Sequence, residues 1–193
     1  FRGTTNTTPR NAWKDWSTNL NGAWMRTIKS PIQDFKSSVS KVRLHRGFAK
    51  VLLGRATATL TSLNSTELDC NADNNIPFED IICQIEAIWV DGYSLYITGH
   101  SLGGAVATLF GFLVAAYDDK FSKTLPVTLY TYASPRVGGY YFRKAFKYLE
   151  RQGKLRHARV HNENDKVPLL PWMFGVYKHV GMEFRLRAKY PVV

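Results

Sequence analysis

Apolar and polar positions along the chain switch between two periods. Tyr93 to Thr98 is rich in aromatic and β-branched residues and stops at Gly99, which predicts a strand. Ala105 to Tyr117 follows as a long apolar run without proline and predicts a buried helix. Pro77 to Asp91 repeats Phe78, Ile81, Ile82, Ile85, Ile88 and Trp89 at helical spacing and ends at Asp91-Gly92. Pro126 to Ala133 alternates as a strand, Gly139 to Gln152 reads as a basic helix, and Leu155 to His161 as another strand. Upstream, Val42 to Phe48 predicts a short strand and Ala49 to Leu63 a helix with Val51, Leu52 and Ala56 on one face. Ser65 to Ile76 and Asn162 to Pro171 read as loops, and Tyr177 to Arg187 as a strand or a loop followed by one. Asn6 to Lys29 is polar yet carries Trp13, Trp16, Trp24 and Met25, equally suited to a mobile cover or a core filling.

Strands that alternate with helices predict an α/β fold, a mainly parallel sheet with helices on both faces, whose ligand site lies beyond the carboxyl ends of the strands. At 193 residues, with no linker or repeat, residues 1–193 read as one domain. The uncharged run from Gly92 to Tyr117 is long enough to raise a membrane span, but its glycines and Gly99-His100-Ser101 favour a strand plus a core helix.

Charge adds a partner class. The 26 Lys and Arg outnumber the 15 Asp and Glu, for a net +11, densest from Arg143 to Arg159. That excess suits an anionic surface such as phospholipid, or simply a solvated helix face. There is no nucleic-acid motif, no phosphate loop and no Cys/His metal spacing, so neither nucleic acid nor a metal is expected. Cys70 and Cys83 pair or stay free, a buried free thiol being the plain reading for Cys83 within its helix. Sequons at Asn6 and Asn64 tilt toward secretion, and no targeting segment is present to report localisation.

The chemistry gathers at Gly99-His100-Ser101-Leu102-Gly103, a G-x-S-x-G turn between a strand and a helix. Such an elbow exposes a serine hydroxyl above the sheet edge, and the N–H of the next residue, here Leu102, points at a developing oxyanion. A serine needs an imidazole to take its proton and a carboxylate to orient that imidazole. In such hydrolases the chain order is serine, acid, histidine. His45 precedes the serine, His100 adjoins it, and His157 and His161 follow only Asp118, Asp119 and Glu150, which read as helix-surface positions. His179 remains, preceded by Glu163 and Asp165 in the loop after a strand.

Four ordered blocks, Gly99–Gly104, Ser134–Gly138, Asn164–Pro171 and Tyr177–Glu183, resemble the class 3 lipases, the fungal-lipase-like α/β-hydrolases. The resemblance implies Ser101 as nucleophile, Asp165 rather than Glu163 as acid, and His179 as base. Phe1-Arg2-Gly3-Thr4 is similar to the family's oxyanion block, which implies Thr4 as the second donor beside Leu102. It also implies an N-terminally truncated domain, since family members carry a helix and early strands before that block. The expected activity is ester hydrolysis through an acyl-enzyme without a cofactor. Lipid esters at an interface are the leading substrates: acylglycerols first, phospholipids second, aryl esters such as feruloyl esters also open. Thr5 to Trp16 is expected to act as a lid that rests on anionic lipid through Trp13 and Trp16.

Overall fold

A computed structural model describes residues 1, 24–32, 41–54, 70, 76–117, 121, 126–173 and 175–187. Its centre is a parallel sheet of β3 (Tyr96–His100), β4 (Val127–Tyr132), β5 (Leu155–Asn162) and β6 (Met182–Leu186), in that spatial order. His100 lies level with Tyr132, Tyr132 with Val160, and Val160 with Phe184, so the carboxyl ends share one edge. A smaller antiparallel pair joins β1 (Met25–Lys29) to β2 (Lys41–His45). The helices are α1 (Arg46–Leu53), α2 (Pro77–Ile88), α3 (Leu102–Tyr117) and α4 (Tyr140–Arg151).

Local chemistry accounts for the boundaries. The strand expected through Phe48 stops at His45, because the His45 Nδ1 accepts the Gly47 N–H at 3.2 Å and caps α1. Helix α1 therefore begins earlier than expected and buries Phe48, Ala49, Leu52 and Leu53, while Val51, expected on the core face, is exposed. The expected continuation over residues 55–63 lies outside the described residues. Helix α2 opens with a proline and carries Glu79 and Asp80 in its first turn, both favourable at a positive helix end. Strand β1 was not anticipated: its segment has no clean alternation, and pairing with β2 is what extends it.

Helix α3 is buried along nearly all its length, because the core closes around it from several sides. Gly111 lets it approach the sheet: a Cβ there would meet Leu129 Cδ1 at 2.7 Å. Helix α4 is amphipathic, with Phe142, Ala145, Phe146 and Leu149 buried and Arg143 and Lys147 turned to solvent. These helices cover the sheet face that presents Ile97, Leu129 and Leu155. The other face presents Tyr96, Tyr130, Tyr132 and Phe184, all exposed, and no helix among the described residues covers it. No described helix is long and apolar enough to cross a membrane.

Cys70 and Cys83 form a disulfide with their Cα atoms 5.6 Å apart, which replaces the free-thiol reading. Their separation of 13 residues left the pairing open in the sequence, since connectivity depends on where the intervening chain folds.

Candidate active site

Ser101 sits at the carboxyl end of β3 with φ at 56°, a left-handed conformation that a serine adopts only under constraint. The constraint is visible. Its N–H donates to the Tyr132 carbonyl at 2.8 Å, and its own carbonyl accepts from Gly104 at 3.0 Å and Ala105 at 3.3 Å. The turn is so tight that a Cβ on Gly99 would run into the Gly103 carbonyl, and one on Gly104 would lie 2.9 Å from Ser134 Cβ. Space alone thus demands a glycine at 99 and at 104. Leu102 opens α3, so its N–H is a first-turn amide for which the helix supplies no carbonyl.

Thr4 and the whole of Thr5 to Trp16 lie outside the described residues. Phe1 does not: its main-chain nitrogen donates to the Thr98 carbonyl at 2.7 Å, and its ring packs on Phe110 with centroids 5.3 Å apart.

Asp165 follows β5 at the same edge of the sheet. Its Oδ1 accepts the Val167 N–H at 2.9 Å, closing a turn that leads into a short 3-10 helix, Val167–Leu169. Glu163 is engaged elsewhere, paired with Arg187 at 3.3 Å. The structure thus separates the two carboxylates that spacing left open, and leaves Asp165 the one without a cation among the described residues.

His179 is not placed as the sequence led us to expect. No histidine is hydrogen-bonded to Ser101 or to Asp165 among the described residues. The His179 Nε2 faces the Pro168 carbonyl at 2.7 Å. A carbonyl only accepts, so Nε2 carries the hydrogen and the neutral ring has its lone pair on Nδ1. A triad base needs the opposite tautomer, with Nδ1–H toward the acid and the Nε2 lone pair toward the serine. Burial first, then Arg159 and Arg136, hold the His179 pKa down at about 3, so the imidazolium that a base must form is disfavoured.

Beneath the acid turn lies a polar group that spacing alone did not reveal. Arg159 and His161, both buried, converge on Glu183 Oε1 at 3.3 and 2.8 Å. Their hydrogen bonds, His161 foremost, keep the Glu183 carboxyl below its usual range despite partial burial. Alternating inward positions on β5, His157, Arg159 and His161, were the available signal. A cavity of about 570 Å³ lined by Tyr96, Tyr130, Arg156 and Phe184 contains none of the predicted site residues.

Comparison with known proteins agrees with the elbow. The family profile described as Lipase (class 3) matches residues 1–175, a span that ends before His179. The chain is 43% identical over 167 residues to Phospholipase A1-IIgamma of Arabidopsis thaliana, covering 84% of this chain and 37% of that protein. It is 39% identical over 108 residues to Secreted mono- and diacylglycerol lipase A of Penicillium cyclopium, covering 55% of this chain and 32% of that protein. The crystal structure of a lipase from Rhizopus microsporus var. chinensis superposes with a TM-score of 0.56 at 26% identity, covering 96% of this chain and 51% of that one. The chain thus spans about a third of the length of these curated relatives.

Proposed function

The chain belongs to the class 3 lipase family, and from that premise we propose that it is a serine carboxyl-ester hydrolase acting on lipid esters. The observation that carries this is Ser101, held at positive φ on a strand-to-helix turn at the carboxyl edge of a parallel sheet. Ser101 attacks the acyl carbon, its proton passing to an imidazole that Asp165 orients. The N–H groups of Leu102 and Thr4 receive the oxyanion, and water then releases the acyl group. Thr4 is read in that role because Phe1-Arg2-Gly3-Thr4 resembles the family's oxyanion block.

The substrate reading is an acylglycerol ester. A phospholipid acyl ester is the second reading, favoured by the coverage of the phospholipase A1 relative and by the net charge of +11. An interface suits either. Leu169, Trp172, Met173 and Val176 are exposed beside the acid turn, Trp172 at 45%, and Tyr140 and Tyr141 are exposed on the adjoining start of α4. The Val176 carbonyl lies against Gly139, where a Cβ would be 3.2 Å away, so the loop meets the start of α4 there. The net charge of +11 fits an anionic lipid surface. The Cys70–Cys83 disulfide fits an oxidising compartment, and a relative is named as secreted, so we place the protein outside the cytosol.

A fluorophosphonate ester tests the reading on the full-length protein. Peptide mapping should find the label on Ser101, and phosphatidylglycerol vesicles compared with diacylglycerol emulsions should then rank the two substrates. Label on another residue, or none on folded protein, overturns the hydrolase assignment.

A further inference from the structure

The acid turn is held by side chains that take no part in the chemistry. Arg136 arrives from the link between β4 and α4 and donates from Nη1 to the carbonyls of Leu169 and Pro171, the latter at 3.0 Å. Its own N–H donates to the Leu170 carbonyl at 2.8 Å. His179 reaches the same turn from the loop that precedes β6, and its Nε2–H donates to the Pro168 carbonyl. Four consecutive carbonyls, Pro168 through Pro171, are thus taken by two side chains and one main-chain amide. The Asp165 Oδ1 bond to Val167 N–H enters the turn one residue before the first of them.

We propose that His179 and Arg136 are positioning residues that clamp the 168–171 turn and so aim the Asp165 carboxylate, and that His179 is not the proton acceptor of Ser101. The proposal rests on the reading of Asp165 as the acid. The geometry is specific. Donors on all four carbonyls of the turn fix both its height above the sheet and its rotation, which together decide where a carboxylate one turn earlier points. The tautomer that holds the turn is the one that disables the ring as a base, so His179 serves in one role or the other. The charged groups that act on the ring are Arg159 from β5, Arg136 from the β4–α4 link and Glu183 from β6. Burial first, then the two arginines, keep the ring neutral, and a neutral Nε2–H donor is what the clamp requires.

Substitutions at His179 in the full-length protein separate the roles. Glutamine presents an amide N–H near the position of Nε2 but cannot act as a base. His179→Gln should therefore keep kcat within about threefold of wild type and label Ser101 normally. His179→Ala, which leaves the Pro168 carbonyl unpaired, should lower kcat by about 10²-fold with KM nearly unchanged, as a misaimed carboxylate would. Hydrogen exchange at Val167, Leu169 and Leu170 should rise in the alanine variant and not in the glutamine variant. Ring ¹⁵N correlation spectra of wild type should show His179 as the neutral Nε2–H tautomer from pH 8 to pH 5. Loss of kcat by about 10⁶-fold in both variants, the cost of removing a triad histidine, overturns the proposal. So does an Nδ1–H tautomer that titrates within that pH range. Wild-type protein that neither labels nor hydrolyses esters would sink the hydrolase reading instead, while the tautomer and exchange data still decide whether His179 clamps the turn.

Discussion

Mild acid should destabilise this protein through the buried imidazole of His157 and the half-buried one of His179, and the size of the effect can be worked from the structure. His157 lies inward on β5 with Nε2 2.8 Å from the Thr131 hydroxyl and its ring beside Phe146 at 5.7 Å. Gly181 closes over it so tightly that a Cβ there would sit 2.5 Å from the His157 Nδ1. Burial first, then Arg159, hold its pKa at about 3, and His179 is held at about the same value. In the unfolded chain both rings titrate near ~6.5. The folded pKa is the lower one, so the unfolded state binds more protons below ~6.5. The contribution of each ring is complete above that pH and is lost as pH falls toward 3.

Between pH 7 and pH 5 an unfolded histidine gains about 2 kcal/mol from protonation while a folded one at the lowered pKa gains almost nothing. His157 accounts for about 2 kcal/mol of loss and the half-buried His179 for less, a large share of a stability of roughly 5–15 kcal/mol. Glu183, whose carboxyl is held low, pushes in the same direction; Glu150, raised by burial, pushes against it. The comparison that isolates one ring is His157→Gln, whose amide still reaches Thr131 and does not titrate. Urea unfolding at both pH values should show wild type losing about 2 kcal/mol more than the variant. Parallel losses in the two proteins would mean that His157 is protonated or hydrated in the folded state, and the burial argument would fail.

Three further substitutions probe the site and its scaffold. Gly99→Ala puts a methyl group into the Gly103 carbonyl, a backbone atom that cannot move without opening the elbow, so fluorophosphonate labelling should vanish; normal labelling would show the turn to be looser than it looks. Asp165→Asn should lower ester turnover by about 10⁴, and Glu163→Gln, which removes only an exposed pair with Arg187, by less than about twofold; equal losses would contradict the choice of acid. Cys83→Ser opens a crosslink between residues 13 apart and should cost about 3 kcal/mol in urea unfolding, whereas no cost would indicate that the intervening chain is ordered without it.

How much the sequence showed depended on whether the deciding interaction was local. Helix α2 was legible from Pro77 to Ile88 because its apolar stripe, its leading proline and its acidic first turn all fall within one segment. The elbow was legible for the same reason: strand, glycines, serine and helix are contiguous, and the Gly99 and Gly104 contacts lie between near neighbours or across one crossover. Strand β1 and the disulfide were not. A five-residue strand without alternation is extended only because β2 pairs with it, and Cys70 meets Cys83 across 13 residues that carry no pattern announcing the pairing.

The reading of His179 shows why a histidine's role is harder to derive from chain order than a serine's. A nucleophile is recognised by its backbone, a strained turn that the neighbouring residues dictate, and Ser101 carries that signature in its own φ. A base is recognised by which ring nitrogen holds the hydrogen, and that depends on the partner each nitrogen finds in space. For His179 the partner is the carbonyl of Pro168, eleven residues upstream, which no pattern of residue types encodes because any residue supplies a carbonyl. Chain order could therefore rank the five histidines but could not assign a tautomer to any of them. The same logic turns the arginines from bystanders into witnesses. A triad surrounds its imidazole with a carboxylate so that protonation is easy, whereas burial first, then Arg159 and Arg136, make protonation of His179 costly. A ring in that setting suits a lasting hydrogen-bond donor better than a proton acceptor, which is the ground for proposing that His179 positions the acid turn.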